Sequence, residues 1–315
     1  MPSVEIPIEK WTGQVHQVTL GGNGRKSITV GGETTLPFLK FDGSIPNRPA
    51  VAVEIQDIAP ADWSPTLLSA WGDAVKDPAS WAKKAVEYGA EAILLNLKSA
   101  HPDEGNTGAD EAKAVADKVL AAVDVPLIVI GPGVADKDNE VLPAVSEAAR
   151  GQRIALGNCE EKNYRTIAAV CIADGHVAIP NSPVDLNLAK QLNILLTDAG
   201  LSIDAILMDP TTGALGYGLE YTYSVMERLR LAGLGGDKLT AMPIINNVGA
   251  DVWKTKEAKV AQGLPETWGD MEQRGVIWEE LTATGLLQAG SDMVVLRHPK
   301  SLEKVTAAIT KLMSK

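Results

Sequence analysis

Eight short apolar runs rich in β-branched residues punctuate the chain at a near-regular interval, at 51–55, 92–97, 127–130, 153–156, 176–179, 205–208, 242–245 and 293–296. Each is almost continuously apolar, the pattern of a strand buried on both faces rather than one with a solvated face. Between successive runs the spacing changes to that of amphipathic helices. Asp77-Pro78 reads as an N-cap followed by proline in the first turn, then Trp81, Ala82, Ala85 and Val86 fall on one face before Gly89 stops the helix. Comparable stripes are Val115/Ala116/Val119/Val123, Val141/Leu142/Val145, Tyr164/Ile167/Ala168/Cys171, Leu188/Leu192/Leu195/Leu196, Val225/Met226/Leu229, a segment from Glu279 to Ala289, and Leu302/Val305/Ile309/Leu312.

Eight strands, each followed by a helix, predict an α/β fold of the (β/α)8 TIM-barrel class. The competing architecture, a doubly wound open sheet, carries a glycine fingerprint after its first strand. Here the first strand is followed by Gln56-Asp57-Ile58-Ala59-Pro60, with no such fingerprint. Two segments lie outside the repeat. Residues 1–48, with Gly21-Gly22 and Gly31-Gly32 between short alternating runs, read as a hairpin extension that plugs the bottom of a barrel spanning 49–315. Residues 249–275 interrupt the step from the seventh strand to its helix as a rim insertion carrying Trp253 and Trp268. These tryptophans either anchor a partner or fold the loop onto the barrel.

Composition narrows the class. With 29 basic against 40 acidic residues and a net charge of −11, the chain repels phosphate backbones, which argues against a nucleic-acid partner. No apolar run approaches the ~20 residues of a membrane span, and the first residues lack a leader pattern. The expectation is a cytoplasmic protein with no membrane partner. Two cysteines, Cys159 and Cys171, exclude a secreted disulfide framework and cannot by themselves hold a four-cysteine iron–sulfur cluster.

In a barrel of this kind the chemistry is carried by the loops after the strands. In order these present Gln56-Asp57; Asn96-Leu97-Lys98 and His101; Gly131-Pro132-Gly133; Gly157-Asn158-Cys159-Glu160; Asn181-Ser182-Pro183; Asp209-Pro210-Thr211-Thr212-Gly213; Asn246-Asn247; and Arg297-His298-Pro299. The set is rich in amides, hydroxyls and glycines and reads as poor in charge. It lacks a strand lysine for Schiff-base chemistry and a paired-histidine metal motif. Any one loop is explained by turn chemistry. Their coincidence suits hydrogen bonding to a large, polar, mostly neutral ligand face. His298 reads equally as a rim group or as a structural hydrogen-bond former. Cys171 falls on an apolar helix face, and Cys159 sits at the rim without an adjacent base. Gly21-Gly22-Asn23-Gly24 opens no helix and is a hairpin turn rather than a phosphate loop. Asp174-Gly175-His176 begins like the aspartate-x-histidine-x-x-glycine signature of a lower cobalt ligand, but position 179 is Ile179 and the segment lies at the wrong end of its strand.

Several longer stretches carry a family resemblance. Val53-Glu54-Ile55-Gln56-Asp57-Ile58, Lys190-Gln191-Leu192-Asn193-Ile194-Leu195, Met208-Asp209-Pro210 with Gly213-Ala214-Leu215-Gly216-Tyr217-Gly218-Leu219-Glu220-Tyr221, Ser224-Val225-Met226-Glu227-Arg228 and Leu296-Arg297-His298-Pro299 resemble the small subunit of the corrinoid iron–sulfur protein, the δ subunit of acetyl-CoA decarbonylase/synthase. The resemblance implies a barrel similar to pterin-binding methyltransferases, paired as a heterodimer with a large subunit that alone carries a 4Fe–4S cluster. It implies a corrinoid (cobalamin) shared with that large subunit and seated over the barrel rim, and no cluster, metal ligand or catalytic residue on this chain. A methyltetrahydrofolate methyltransferase would deliver the methyl group to cobalt, and acetyl-CoA synthase would receive it. The rim residues that become candidates for corrinoid contact are Asn158, Asn181, Asp209, Thr211, Thr212, Gly213, Arg297 and His298. An alternative is a stand-alone methyltetrahydrofolate-dependent corrinoid methyltransferase, in which Asp209 and Asn246 or Asn247 read a pterin ring. A carbon–carbon lyase lacks its lysine or metal set.

Overall fold

The computed structural model describes residues 7–314; residues 1–6, part of the segment read for a leader, and Lys315 lie outside it. The chain opens with an antiparallel hairpin, β1 (Gln17–Gly21) and β2 (Ser27–Gly31), in register Val18↔Val30 and Leu20↔Ile28. Its turn needs left-handed backbone at Gly22, Asn23 and Gly24, which glycine and asparagine supply at least cost.

A parallel sheet follows: β3 (Ala50–Gln56), β4 (Ala92–Asn96), β5 (Leu127–Ile130), β6 (Ala155–Cys159), β7 (Val177–Pro180), β8 (Ile245–Asn246) and β9 (Met293–Leu296), in the order β7-β6-β5-β4-β3-β9-β8. The sixth expected strand closes the ring as residues 206–209. Leu207 and Asp209 donate to Ala178 and Pro180 on one side, and Met208 exchanges bonds with Pro243 and Ile245 on the other. Pro243 has no N–H to give, so the ladder on that side begins late and β8 shortens to two residues instead of 242–245. The fourth strand also starts later than expected, because Arg153 adopts φ 47° and turns its guanidinium back to Thr19 O and Asp204 O.

The outer layer contains α1 (Pro65–Trp71), α2 (Pro78–Glu87), α3 (Ala109–Ala122), α4 (Ala135–Ala148), α5 (Tyr164–Asp174), α6 (Leu186–Asp198), α7 (Leu219–Leu234), α8 (Val248–Val252), α9 (Lys256–Lys259), α10 (Met271–Ala289) and α11 (Pro299–Met313). Asp77 caps α2 as its sequence suggests, accepting from Ser80 N at 3.0 Å. The rim insertion has more structure than a plain loop. It contains α8 and α9, and α10 starts at Met271 rather than Glu279, with Asp270 accepting from Gln273 N as its N-cap.

Two apolar layers result. The larger lies between sheet and helices. The smaller fills the barrel with Ala50, Ala52, Ala92, Leu94, Ile128, Ala155, Val177, Ile179, Leu207, Ile245, Met293 and Val295, joined from below by Val18, Leu20 and Val30 of the hairpin. The hairpin therefore plugs the N-terminal end of the barrel. Gly21 N and Lys26 N fix it there by donating to the carbonyls of Arg153 and Asp124, both just ahead of strands.

Candidate functional site

The inward set of each strand advances two residues at a time. Continued upward from the apolar layer, it reaches Glu54 and Gln56 on β3, Asn96 on β4, Ile130 on β5, Gly157 on β6, Asn181 after β7, Asp209 after the closing strand, Asn247 after β8 and Arg297 after β9. The barrel mouth is thus lined almost entirely by polar side chains, directly above an apolar interior.

On one side stands a buried ion pair. Arg297 Nε and Nη2 donate to the two oxygens of Glu54 at 2.7 and 2.8 Å. Glu54 is fully buried and Arg297 only 6% exposed, with the guanidinium 4.8 Å from the centre of the Trp63 ring. Burial alone would raise the Glu54 carboxyl, but Arg297, Asn96 and Gln56 together hold it below its usual value. Beneath the pair, Glu279 accepts from Arg297 N at 2.6 Å and His298 N at 3.2 Å, and burial raises its carboxyl. Gly249 brings α8 close here. A Cβ at that position would stand 2.7 Å from Arg297 Cγ and backbone N.

On the other side, Asp209 organises an amide and hydroxyl cluster. Its Oδ1 accepts from Thr211 N at 2.8 Å and its Oδ2 from Asn181 Nδ2 at 3.0 Å, while Asn181 also reaches Thr211 Oγ1 at 3.3 Å. Burial, with a contribution from Asp251, pushes the Asp209 carboxyl up to about 6 against these bonds. Thr211 sits at φ 65°, which costs a β-branched residue ~1–3 kcal/mol and is held by the Asp209 and Thr222 contacts on its N–H and carbonyl. Thr222 Oγ1 also accepts from Gly213 N at 2.8 Å. A Cβ on Gly213 would stand 2.4 Å from Gly218 O, so this loop closes only with glycine there.

The candidate residues therefore separate into groups. Asn181, Asp209, Thr211, Thr212 and Gly213 share one loop system, with the buried Thr212 hydroxyl accepting from Asn246 Nδ2 at 3.4 Å. Asn158 flanks them from the end of β6, whose Cys159 carbonyl accepts from Asn181 N. Arg297 stands apart in the ion pair. His298 turns away from the mouth. Its Nδ1 accepts from Lys300 N at 3.1 Å as the cap of α11, and its ring stacks 5.6 Å from Trp253. Burial lowers its pKa to about 4, so it is neutral, with the proton on Nε2.

Two sequence expectations need correction. The rim is not poor in charge, because the Glu54–Arg297 pair lies in it together with Asp209 and Asp251. Glu54 was the missed signal: a lone carboxylate at an inward position of an apolar strand must find a cation. Cys159 is not a rim group but faces the buried sheet–helix layer, where burial drives its thiol pKa up. Trp253 is buried and folds the insertion onto the barrel, whereas Trp268 remains 42% exposed beside Trp278. Asp174 and His176 lie at the bottom end, bonded to Arg150 and to the Ser146 carbonyl.

Comparison with known proteins agrees with this architecture. Among solved structures, a dihydropteroate synthase from Coxiella burnetii in complex with pteroic acid matches with TM-score 0.57 and 13% identity, covering 87% of this chain and 96% of its own. The Xanthomonas albilineans dihydropteroate synthase with 4-aminobenzoic acid matches with TM-score 0.55 and 16% identity, covering 86% and 95%. At such identities the likeness shows a shared barrel fold. Sequence relatives are more similar. The acetyl-CoA decarbonylase/synthase complex subunit delta of Archaeoglobus fulgidus is 37% identical over 303 residues, 92% of this chain and 67% of that protein. The subunit delta of Methanothermobacter thermautotrophicus is 36% identical over 306 residues, 96% and 77% respectively. A family model described as CO dehydrogenase/acetyl-CoA synthase delta subunit matches residues 17–306, and with these relatives it establishes that the chain belongs to that family.

Proposed function

We propose that this chain is the small subunit of a heterodimeric corrinoid iron–sulfur methyl carrier, and that its barrel mouth caps one face of a corrinoid held jointly with a large subunit. The observation that carries this reading is the ring of neutral amides and paired charges at an open barrel mouth, in a chain whose relatives are subunits of a multi-subunit acetyl-CoA complex. The donor set fits a corrinoid. The periphery of such a macrocycle presents primary amides, and the mouth presents hydrogen-bonding groups without partners, including Gln56 Oε1 and Asn247 Oδ1. Asn158, Asn181, Thr211 and Gly213, all partly exposed, would line its edge. Arg297 and His298 would act from below, one by fixing Glu54 and the other by fixing the start of α11.

When bound, the corrinoid supplies a cobalt centre that takes up and releases a methyl group. This chain's own residues exclude water from one face, orient the macrocycle through fixed amides, and keep their ionisable groups engaged with one another. The methyl group would come from methyltetrahydrofolate through a separate methyltransferase and leave to acetyl-CoA synthase, and the 4Fe–4S cluster would reside on the large subunit. Among the described residues, no helix is long and apolar enough to cross a membrane, and we place the assembly in the cytoplasm.

Mixing purified subunits tests the reading. The pair should retain corrinoid and transfer methyl groups, and the large subunit alone should do both poorly; equal performance would overturn the platform role. One observation favours a second reading, a stand-alone methyltetrahydrofolate-dependent methyltransferase. The Asp209–Asn181 pair and the free Asn247 carbonyl match a ring that offers N–H groups. Micromolar calorimetric binding of methyltetrahydrofolate to this chain alone would support it, and no heat would dismiss it.

A further inference from the structure

The amides at the mouth are not free to turn either way. A carboxylate only accepts hydrogen bonds, so an amide beside one must point its NH2 group at it. Asn96 Nδ2 is committed to Glu54 Oε1 at 3.2 Å, and Asn181 Nδ2 to Asp209 Oδ2 at 3.0 Å. Gln56 follows Glu54 on the inward face of β3 and makes the smallest contribution to holding its carboxyl low, which calls for the same orientation of its amide. The carbonyl ends are what remain. Gln56 Oε1, on a residue only 3% exposed and aimed into the mouth by the inward alternation of β3, has no partner, and neither has Asn247 Oδ1. The strongest donor nearby, Arg297, already spends two nitrogens on Glu54. Behind the carbonyls stand the carboxylates of Glu54, Asp209 and Asp251.

We infer that the mouth is an acceptor-rich collar selecting ligands by N–H donors, so that it takes corrinoids whose peripheral acids are amidated and rejects those bearing a free carboxylate at the covered edge. This rests on the corrinoid-capping role above and adds its selectivity. A primary amide meets a waiting carbonyl or carboxylate with its NH2 group. A carboxylate in the same place leaves Gln56 Oε1 and Asn247 Oδ1 unsatisfied and faces like charge from Asp209, whereas Asp251 is already paired with Lys254.

The test is an absorbance titration of the assembled complex, stripped of corrinoid, with hydroxocobalamin and with each separated monocarboxylic acid obtained by hydrolysing one peripheral amide. At least one monoacid should bind about tenfold more weakly than the parent, the effect of leaving one buried acceptor unpaired. The Asp209→Asn variant should narrow that gap to less than threefold, because the repelling charge is gone. If every monoacid binds within twofold of the parent, or if Asp209→Asn leaves the gap intact, the selectivity is overturned while the capping role stands. If the complex holds no corrinoid at all, the capping role fails first. Should Asp209→Asn not fold, judged by circular dichroism, Asn247→Ala replaces it and should weaken the parent corrinoid at least threefold; an unchanged affinity contradicts the collar.

Discussion

Glu54 and Arg297 come from opposite ends of the chain and meet at the mouth, both buried. A pair this buried contributes little net stability when intact, but breaking it leaves a stranded charge. Glu54→Gln or Arg297→Met should each lower unfolding free energy in urea by ~3 kcal/mol or more. A loss below ~1 kcal/mol in both would mean that the pair is solvated. Asp209 makes a complementary prediction. Its carboxyl titrates at about 6 when folded, above the usual value of 3.8. The folded state therefore disfavours ionisation. The stability tied to the protonated form is complete below the unfolded value and is lost as pH rises through about 6. Comparing the melting temperature of Asp209→Asn with wild type from pH 4 to 7 should show the variant gaining on wild type across that interval. Parallel curves would mean that Asp209 is not shifted. Loop composition offers Asp209 and Arg297 but not their neighbours, because Glu54 lies within a strand and Asp251, which adds to the Asp209 shift, lies within an insertion. The identity of Glu54 as the single charge in the run Ala50–Gln56 was nevertheless visible in the sequence.

At the scale of elements, strands and helices were largely legible because a strand buried on both faces must be apolar, and the helices alternate with such runs. The departures occur where the backbone lacks a donor or leaves the extended region. Pro243 trims β8, Arg153 delays β6, and residues 206–209 close the barrel through isolated bridges. The hairpin is the element whose role the sequence suggested most economically. It turns Val18, Leu20 and Val30 into the floor of the barrel core. Leu20→Ala should therefore cost ~2–5 kcal/mol, as for any fully buried leucine, despite lying in a two-stranded extension. A cost under ~1 kcal/mol in a urea titration would show that the hairpin is not part of the cooperative core. The insertion behaves differently. Trp253 is absorbed into packing against His298, and Trp268 is left partly exposed, so the two tryptophans that the sequence could not separate have different surroundings.

At the scale of the whole molecule, the division of labour follows from where polarity is placed. The bottom of the barrel is closed by hydrophobic packing and the top is polar, its Glu54–Arg297 pair satisfied and several amide carbonyls left without partners. No group of three or more histidine, cysteine, aspartate or glutamate side chains among the described residues is placed to hold a metal ion. In the proposed carrier this chain serves as a shaped cover over a corrinoid held jointly with the large subunit. Hydrogen–deuterium exchange of the full chain, alone and mixed with its corrinoid-bearing large subunit, tests this most directly. Protection is expected to be confined to the mouth, at residues 56–63, 96–101, 157–160, 181–184, 209–218 and 247–253, with the hairpin at 17–31 unchanged. Protection at the hairpin end with an unaltered mouth, or no protection at all, would contradict it.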